Sequence, residues 1–177
     1  FTMTRSSDKL AGQTALITGG ARRLGRATAL ALAGSGVNVI VHYNRSSADA
    51  EILVDDLRHK GIRAWSIRAD LTEPGAPDAL FAEALSLAGP LDILINSASI
   101  FNADTVKTLT EEALWYNVQV HTVAPLLLAR AFARQNQASQ ILNFLDCRIV
   151  DYDSRHASYH LSKRMLFTLT RMLAMEL

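Results

Sequence analysis

The sequence predicts a doubly wound α/β fold, a parallel sheet with helices on both faces, from three observations. Apolar, β-branched runs alternate along the chain with segments of helical period. Two of those runs, Ala15-Leu16-Ile17 and Ile93-Leu94-Ile95, show no polar alternation, as strands covered on both faces require. A glycine-rich turn, Thr18-Gly19-Gly20-Ala21-Arg22-Arg23-Leu24-Gly25, sits where the first strand passes into the first helix.

In chain order, the first strand is predicted at Thr14 to Thr18, followed by a helix whose stripe is Leu24, Ala27, Leu30 and Ala31. A second strand, Val37 to Tyr43, precedes a noisier stripe of Ala50, Ile52, Val54 and Leu57. Arg63 to Ala69 reads as the third strand, Phe81, Ala84, Leu85 and Ala88 as the next stripe, and Leu91 to Asn96 as the fourth strand. Thr108-Leu109-Thr110-Glu111 has capping-box spacing and should open a long helix running past His121 toward Ala133. The fifth strand is predicted at Gln140 to Leu145; the stretch before it, Gln135 to Ser139, reads as short. From Met165 the pattern Leu166, Leu169, Leu173, Leu177 stays helical with no Gly, Asn or Pro stop, so the chain is expected to end inside a helix. No repeat, low-complexity tract or linker interrupts the chain, and residues 1–177 read as one domain. Phe1-Thr2, ahead of Met3, is set aside as extraneous to the fold.

Composition narrows the function. Eighteen Lys and Arg stand against 17 Asp and Glu among 177 residues, a net charge of +1, which leaves no basic excess for nucleic acid or a membrane surface. Apolar residues at 49% are enough for a packed core, and stretches such as Ala124 to Ala129 fall far below the ~20 residues of a membrane span. The expectation is a soluble, cytoplasmic protein. Cys147, the single cysteine, excludes an internal disulfide and a thiolate-rich zinc site, and beside Asp146 it reads as a small packed side chain rather than a nucleophile. His156 and His160 lie one helical turn apart, but no third ligand has suitable spacing, so no metal is expected.

Three segments carry chemistry. The glycine turn lets the backbone approach a pyrophosphate at a helix N-terminus; a tight turn with no ligand is the competing reading. About 20 residues on, where an acid would hold an NAD ribose, the second strand ends in His42-Tyr43-Asn44-Arg45-Ser46, with no acid. Arg45 and Ser46, with Arg22 closing from the turn, could instead hold a 2′-phosphate, which favours NADPH; alternatively Arg45 is a solvated charge and Ser46 only caps the next helix. Tyr159 and Lys163 share a helix face four residues apart, and a nearby ammonium would lower the phenol pKa for acid-base work.

Taken together, the glycine turn, Asn96-Ser97-Ala98-Ser99 after the fourth strand, and Tyr159 with Lys163 resemble the short-chain dehydrogenase/reductase family, from about Gly12 to Leu177. The resemblance implies a Rossmann-type fold and NAD(P)H-dependent hydride transfer, with Tyr159 as proton donor and Lys163 on the nicotinamide ribose. It also implies cofactor contacts at Gly19, Arg22, Arg23, Leu24 and Gly25, at Asn44, Arg45 and Ser46, at Asp70 and Leu71, at Asn96, Ala98 and Ser99, and at Tyr159 and Lys163 themselves.

Departures from the family pattern sharpen the resemblance. Arg23 replaces the usual middle glycine of the turn, Asp146 replaces the usual catalytic serine, and the aromatic Phe101 follows Asn96 to Ile100. These resemble the pteridine reductase branch, and the segments Asp146 to Tyr159 and Val120 to Pro125 resemble its dihydromonapterin reductase type. The implied substrate is a pterin or dihydropterin, stacked on Phe101, near Arg23 and Ser99, and protonated through Asp146 and Tyr159. Core filling is the competing reading of Phe101, and turn capping that of Asp146. His121 stands where the family usually has an asparagine holding a relay water; it could relay protons or be a satisfied structural histidine. Two other functions stay open: a carbonyl or ketoacyl reductase, which a carboxylate beside a developing alkoxide disfavours, and a non-catalytic dinucleotide sensor. The family resemblance further implies a sixth and seventh strand and a substrate-covering segment that this sequence lacks, and a homotetramer assembled through the long helix and the Tyr159 helix.

Overall fold

In the computed structural model, residues 10–135 and 140–177 are described. The sheet has five strands, β1 (Thr14–Thr18), β2 (Asn38–Tyr43), β3 (Ala64–Arg68), β4 (Ile93–Asn96) and β5 (Gln140–Asn143), in the order β3-β2-β1-β4-β5. Every neighbouring pair is parallel. Between them run α1 (Arg23–Ala33), α2 (Ser47–His59), α3 (Ala76–Ala88) and a long helix after β4. The chain winds outward from β1 to β3, then returns to place β4 on the other side of β1. That reversal opens a crevice at the carboxyl ends of β1 and β4, where open α/β sheets bind ligands.

Both faces of the sheet are covered, as the uninterrupted apolar strands require. Ala15 and Ile17 pack with Ala29, Ala33, Leu53 and Leu57 of α1 and α2. Leu16 and Leu94 pack with Leu80, Phe81, Leu128 and Phe132 on the opposite side. Strand β1 is buried at every residue, whereas β5 alternates exposed with half-buried positions and forms an edge. The segment Gln135 to Ser139 reaches outside the described residues at 136–139.

Two helix expectations need correction. In α1 the core face is Gly25, Ala29 and Ala33, while Leu24 is 69% exposed. The reason is steric: a Cβ at Gly25 would lie 2.3 Å from the Gly19 carbonyl oxygen, so the face pressed on the turn takes only small residues. The largest apolar side chains therefore do not mark the buried stripe. In α2, likewise, Leu53 rather than Ile52 faces inward. The long helix begins not at the predicted Thr108 box but at Thr110, whose hydroxyl accepts the Ala113 N–H at 3.1 Å. Thr108 instead closes a turn with Thr105, accepting its N–H at 2.9 Å.

The long helix has three parts, α4 (Glu111–Val118), a π-helical turn Gln119–Val123, and α5 (Ala124–Ala133). Pro125 explains the interruption, since its ring would clash with the carbonyl four residues earlier and it has no N–H to donate. His121 sits in that wider turn. The final helix, α6 (Ala157–Glu176), carries Tyr159 and Lys163.

Candidate active site

At the crevice, the glycine turn adopts a conformation that its sequence dictates. Gly19 has φ +62°, and a Cβ there would meet Ala98 Cα at 2.7 Å. Arg23 also has positive φ, 48°, at the position where glycine would be unstrained. Helix α1 starts with no side-chain cap and no acid in its first turn, which suits its N-terminal N–H groups and dipole to an anion. The turn is held from behind by His42, whose Nδ1 accepts the Gly19 N–H at 3.1 Å while Nε2–H donates to the Ala69 carbonyl at 3.1 Å. Burial lowers the His42 pKa to about 4 and keeps this ring neutral.

A cleft of about 260 Å³ runs from Gly19 and Arg22 past Asn44, Arg45 and Ser46 to Asp70, Leu71, Ala98 and Ser99. Ser46 occupies the N-cap position of α2 but its side chain makes no cap bond, so its hydroxyl is available to a ligand. Arg22 is ion-paired with Asp49 on α2 at 2.7 Å, which draws it toward the tip of β2. Asp70 accepts the Thr72 hydroxyl at 2.7 Å and its N–H at 3.0 Å; these bonds, with Asn44 and the Arg45 charge, outweigh burial and hold its carboxyl below the usual range. The donor set fits an adenosine with a phosphorylated ribose: cations and a hydroxyl at the β2 tip, where Asp49 pairs with Arg22 without lining the cleft, and an acid beyond β3.

Of the cofactor residues expected from Gly19 to Ser99, Arg23, Leu24, Gly25 and Asn96 are not among those lining this cleft. Arg23 and Leu24 are exposed and do not line the cleft, because the helix phase that buries Gly25 turns them outward. Asn96 is buried, donating to the Asn143 side chain at 2.8 Å across β4 and β5, and its Oδ1 has no partner among the described residues.

The second half of the site gathers on α6. The Tyr159 hydroxyl donates to Asp146 Oδ2 at 2.8 Å. Asp146 Oδ1 accepts the Arg148 N–H at 2.8 Å, so this carboxylate both caps a turn and holds the phenol. Burial pushes the Asp146 pKa up, but the Arg148 N–H, the Tyr159 hydroxyl and the nearby His160 and Lys163 outweigh it and keep the group ionised. Tyr159 departs from the sequence expectation: burial, then the Asp146 carboxylate, raise its pKa rather than lower it. Lys163 stands 5.8 Å from the Tyr159 ring centre and donates to the Phe144 carbonyl at 2.7 Å. At 3% exposure, burial brings its pKa down to about 8, against the pull of Asp146.

His121 is 1% exposed and its two ring nitrogens are both taken by the protein. Nε2 accepts the Ile100 N–H at 3.2 Å and meets the Ser99 hydroxyl at 3.0 Å. Nδ1 lies 2.8 Å from Ser162 Oγ, which itself donates to the Tyr159 carbonyl at 2.8 Å. Since Nε2 accepts, Nδ1 carries the proton and donates to Ser162. Burial lowers the His121 pKa to about 3, and nearby Lys163 adds to the shift. The satisfied structural reading of His121 is the one this geometry supports.

Phe101 is 55% exposed and no core residue; it stacks on His156 and meets Tyr159 edge-on. Cys147, expected to be packed, is exposed beside Asp146. Sequence reasoning missed Asp104, whose carboxylate accepts the Ser158 N–H at 3.1 Å and the Ser158 hydroxyl, and Asp153, which accepts from His156. Asp104 lies 54 positions from its partner, beyond the reach of any local pattern.

Comparison with known proteins agrees with this fold. The family model for short chain dehydrogenases matches residues 13–177. A versicolorin reductase of Emericella nidulans is 35% identical over 175 residues, covering 97% of this chain and 66% of its own length. The chain thus spans about two thirds of the length of the curated relatives it matches. Among solved structures, FolM alternative dihydrofolate reductase 1 from Brucella canis, complexed with NADP, superimposes with a TM-score of 0.88 at 32% identity, over 94% of this chain and 69% of that one. A short chain dehydrogenase from Burkholderia cenocepacia in complex with NADP gives 0.89 at 32% identity, over 94% and 69%.

Proposed function

The chain belongs to the short-chain dehydrogenase family, and from that premise we propose that it is an NADPH-dependent reductase acting on a pterin or dihydropterin. NADPH, when bound, supplies the hydride. The chain's own residues do the rest. Arg45, Ser46 and Arg22 hold the 2′-phosphate, the glycine turn receives the pyrophosphate at the start of α1, and Asp70 with Leu71 borders the adenine. Lys163 reaches the nicotinamide ribose, and Phe101 offers a face to a flat ring. Arg23, exposed and outside the adenosine cleft, contributes positive charge near the glycine turn rather than a contact in that cleft.

One observation carries the choice of substrate: the Tyr159 hydroxyl is bonded to an ionised Asp146 at 2.8 Å. Reduction of a ring C=N places a proton on nitrogen and positive character on the ring, which a neighbouring carboxylate stabilises. Ketone reduction would develop an alkoxide there, which the same carboxylate disfavours. Tyr159 delivers its single Oη proton to the ring nitrogen by turning it from Asp146, and the resulting phenolate regains a proton from solvent by way of the Asp146 carboxylate. The similarity to an alternative dihydrofolate reductase supports this reading. The versicolorin reductase relative favours the second reading, a carbonyl reductase.

NADPH oxidation assayed with dihydrobiopterin, dihydrofolate and a simple ketone separates the two readings. The pterin reading expects turnover with dihydrobiopterin at a kcat/KM well above that of the ketone. Turnover of the ketone alone would establish the second reading, and NADPH binding without turnover of any substrate would leave a dinucleotide sensor.

A further inference from the structure

We propose that His156 is a positioning residue for the substrate ring: anchored to Asp153, it backs one face of Phe101 and leaves the other face as a platform for a flat heteroaromatic substrate. The inference rests on the pterin reading, whose substrate is such a ring.

The geometry joins three aromatic groups. Phe101 and His156 stack with ring centres 3.8 Å apart and planes inclined by 16°. Tyr159 meets Phe101 edge-on, 4.7 Å between centres at 88°. A phenyl ring on a loop, 55% exposed, would ordinarily exchange rotamers freely. Contacts with His156 and Tyr159 remove that freedom, while 55% of the residue's surface stays exposed.

His156 is itself fixed. Its Nδ1 lies 2.8 and 2.9 Å from the two carboxylate oxygens of Asp153. Asp153 in turn accepts the Arg155 N–H at 2.8 Å, and Arg148 stands 3.6 Å away. The loop holding Phe101 is tied to the same segment: Asp104 pairs with His156 in a parallel bridge and donates its N–H to the Arg155 carbonyl at 2.8 Å. Asp104 then caps the first turn of α6 through Ser158. Phe101, His156 and Tyr159 therefore move as one unit, which fixes a stacked ring relative to the Tyr159 hydroxyl.

Steady-state kinetics with NADPH and dihydrobiopterin on the parent, His156→Ala, His156→Phe and Asp153→Asn tests this. Loss of one aromatic backing contact is expected to raise KM roughly three- to tenfold in His156→Ala, with kcat changed by less than about twofold. His156→Phe keeps the stack without the carboxylate bond and should recover most of the KM; Asp153→Asn should fall between. A Phe101→Trp variant reads the contact without turnover: its fluorescence anisotropy should fall when His156→Ala is added. An unchanged KM with unchanged anisotropy overturns the proposal. So does a fall in KM, which would mean that the imidazole occupies the face the substrate needs. Equal loss of kcat, KM and NADPH affinity in both His156 variants would reduce the residue to a fold support and overturn it as well. If the parent reduces no pterin, the substrate reading fails on its own; the anisotropy then decides the Phe101–His156 contact, and unchanged anisotropy overturns that too.

Discussion

Tyr159 and Lys163 show how far single residues can be read before their surroundings are known. Their spacing identified them, because four residues on a helix share a face whatever the tertiary structure. The direction of the Tyr159 pKa was not legible, because it depends first on burial and then on Asp146, thirteen positions away in sequence and 2.8 Å away in space. Asp104 and His42 escaped for the same reason, each acting through a contact that only the fold creates, whereas Asp153 meets His156 only three positions away. Tyr159→Phe removes the donor used in the transition state and should lower kcat by a factor of about a hundred or more, with the NADPH Kd unchanged; stopped-flow turnover and nicotinamide fluorescence measure the two. Lys163 titrates at about 8, so the ammonium is lost as pH rises through that value. The kcat/KM profile should therefore fall above pH 8, and Lys163→Arg, which stays protonated, should lack that limb even though its activity is lower.

Among the elements, strands were the most legible, since runs buried on both faces betray themselves without periodicity. Helix faces were less so. The stripe of α1 was misread because its buried face is built from Gly25, Ala29 and Ala33, chosen for closeness rather than hydrophobicity. The π-helical turn at Gln119–Val123 was invisible as such, although Pro125 marked the place. That turn sets His121 between Ser99 and Ser162, linking the loop after β4 to α6. Gly25→Ala would place a methyl carbon 2.3 Å from the Gly19 oxygen and 2.9 Å from Gly20 Cα, both backbone. The helix must then withdraw from the turn, which should cost about 1–3 kcal/mol of stability and weaken NADPH binding at least tenfold, as read by denaturant unfolding and cofactor titration.

At the scale of the whole molecule, two buried neutral histidines tie stability to pH. His42 and His121, displaced from 6.5 to about 4 and about 3 by burial, are neutral in the fold while the unfolded chain protonates them. Below pH 6.5 the unfolded state binds more protons, so stability rises with pH across the window from about 3 to 6.5 and is lost on acidification through it. His42 alone represents about 3 kcal/mol, and thermal unfolding followed from pH 7 to 4 should show a steep fall that His121→Asn makes shallower. The central claim concerns chemistry at one carboxylate, and Asp146→Ser tests it most directly. Measured with NADPH against dihydrobiopterin and a simple ketone, kcat/KM for the pterin should drop at least tenfold in Asp146→Ser while that for the ketone rises or holds. Pterin turnover unchanged by the substitution, or a parent enzyme that already prefers the ketone, would contradict the account.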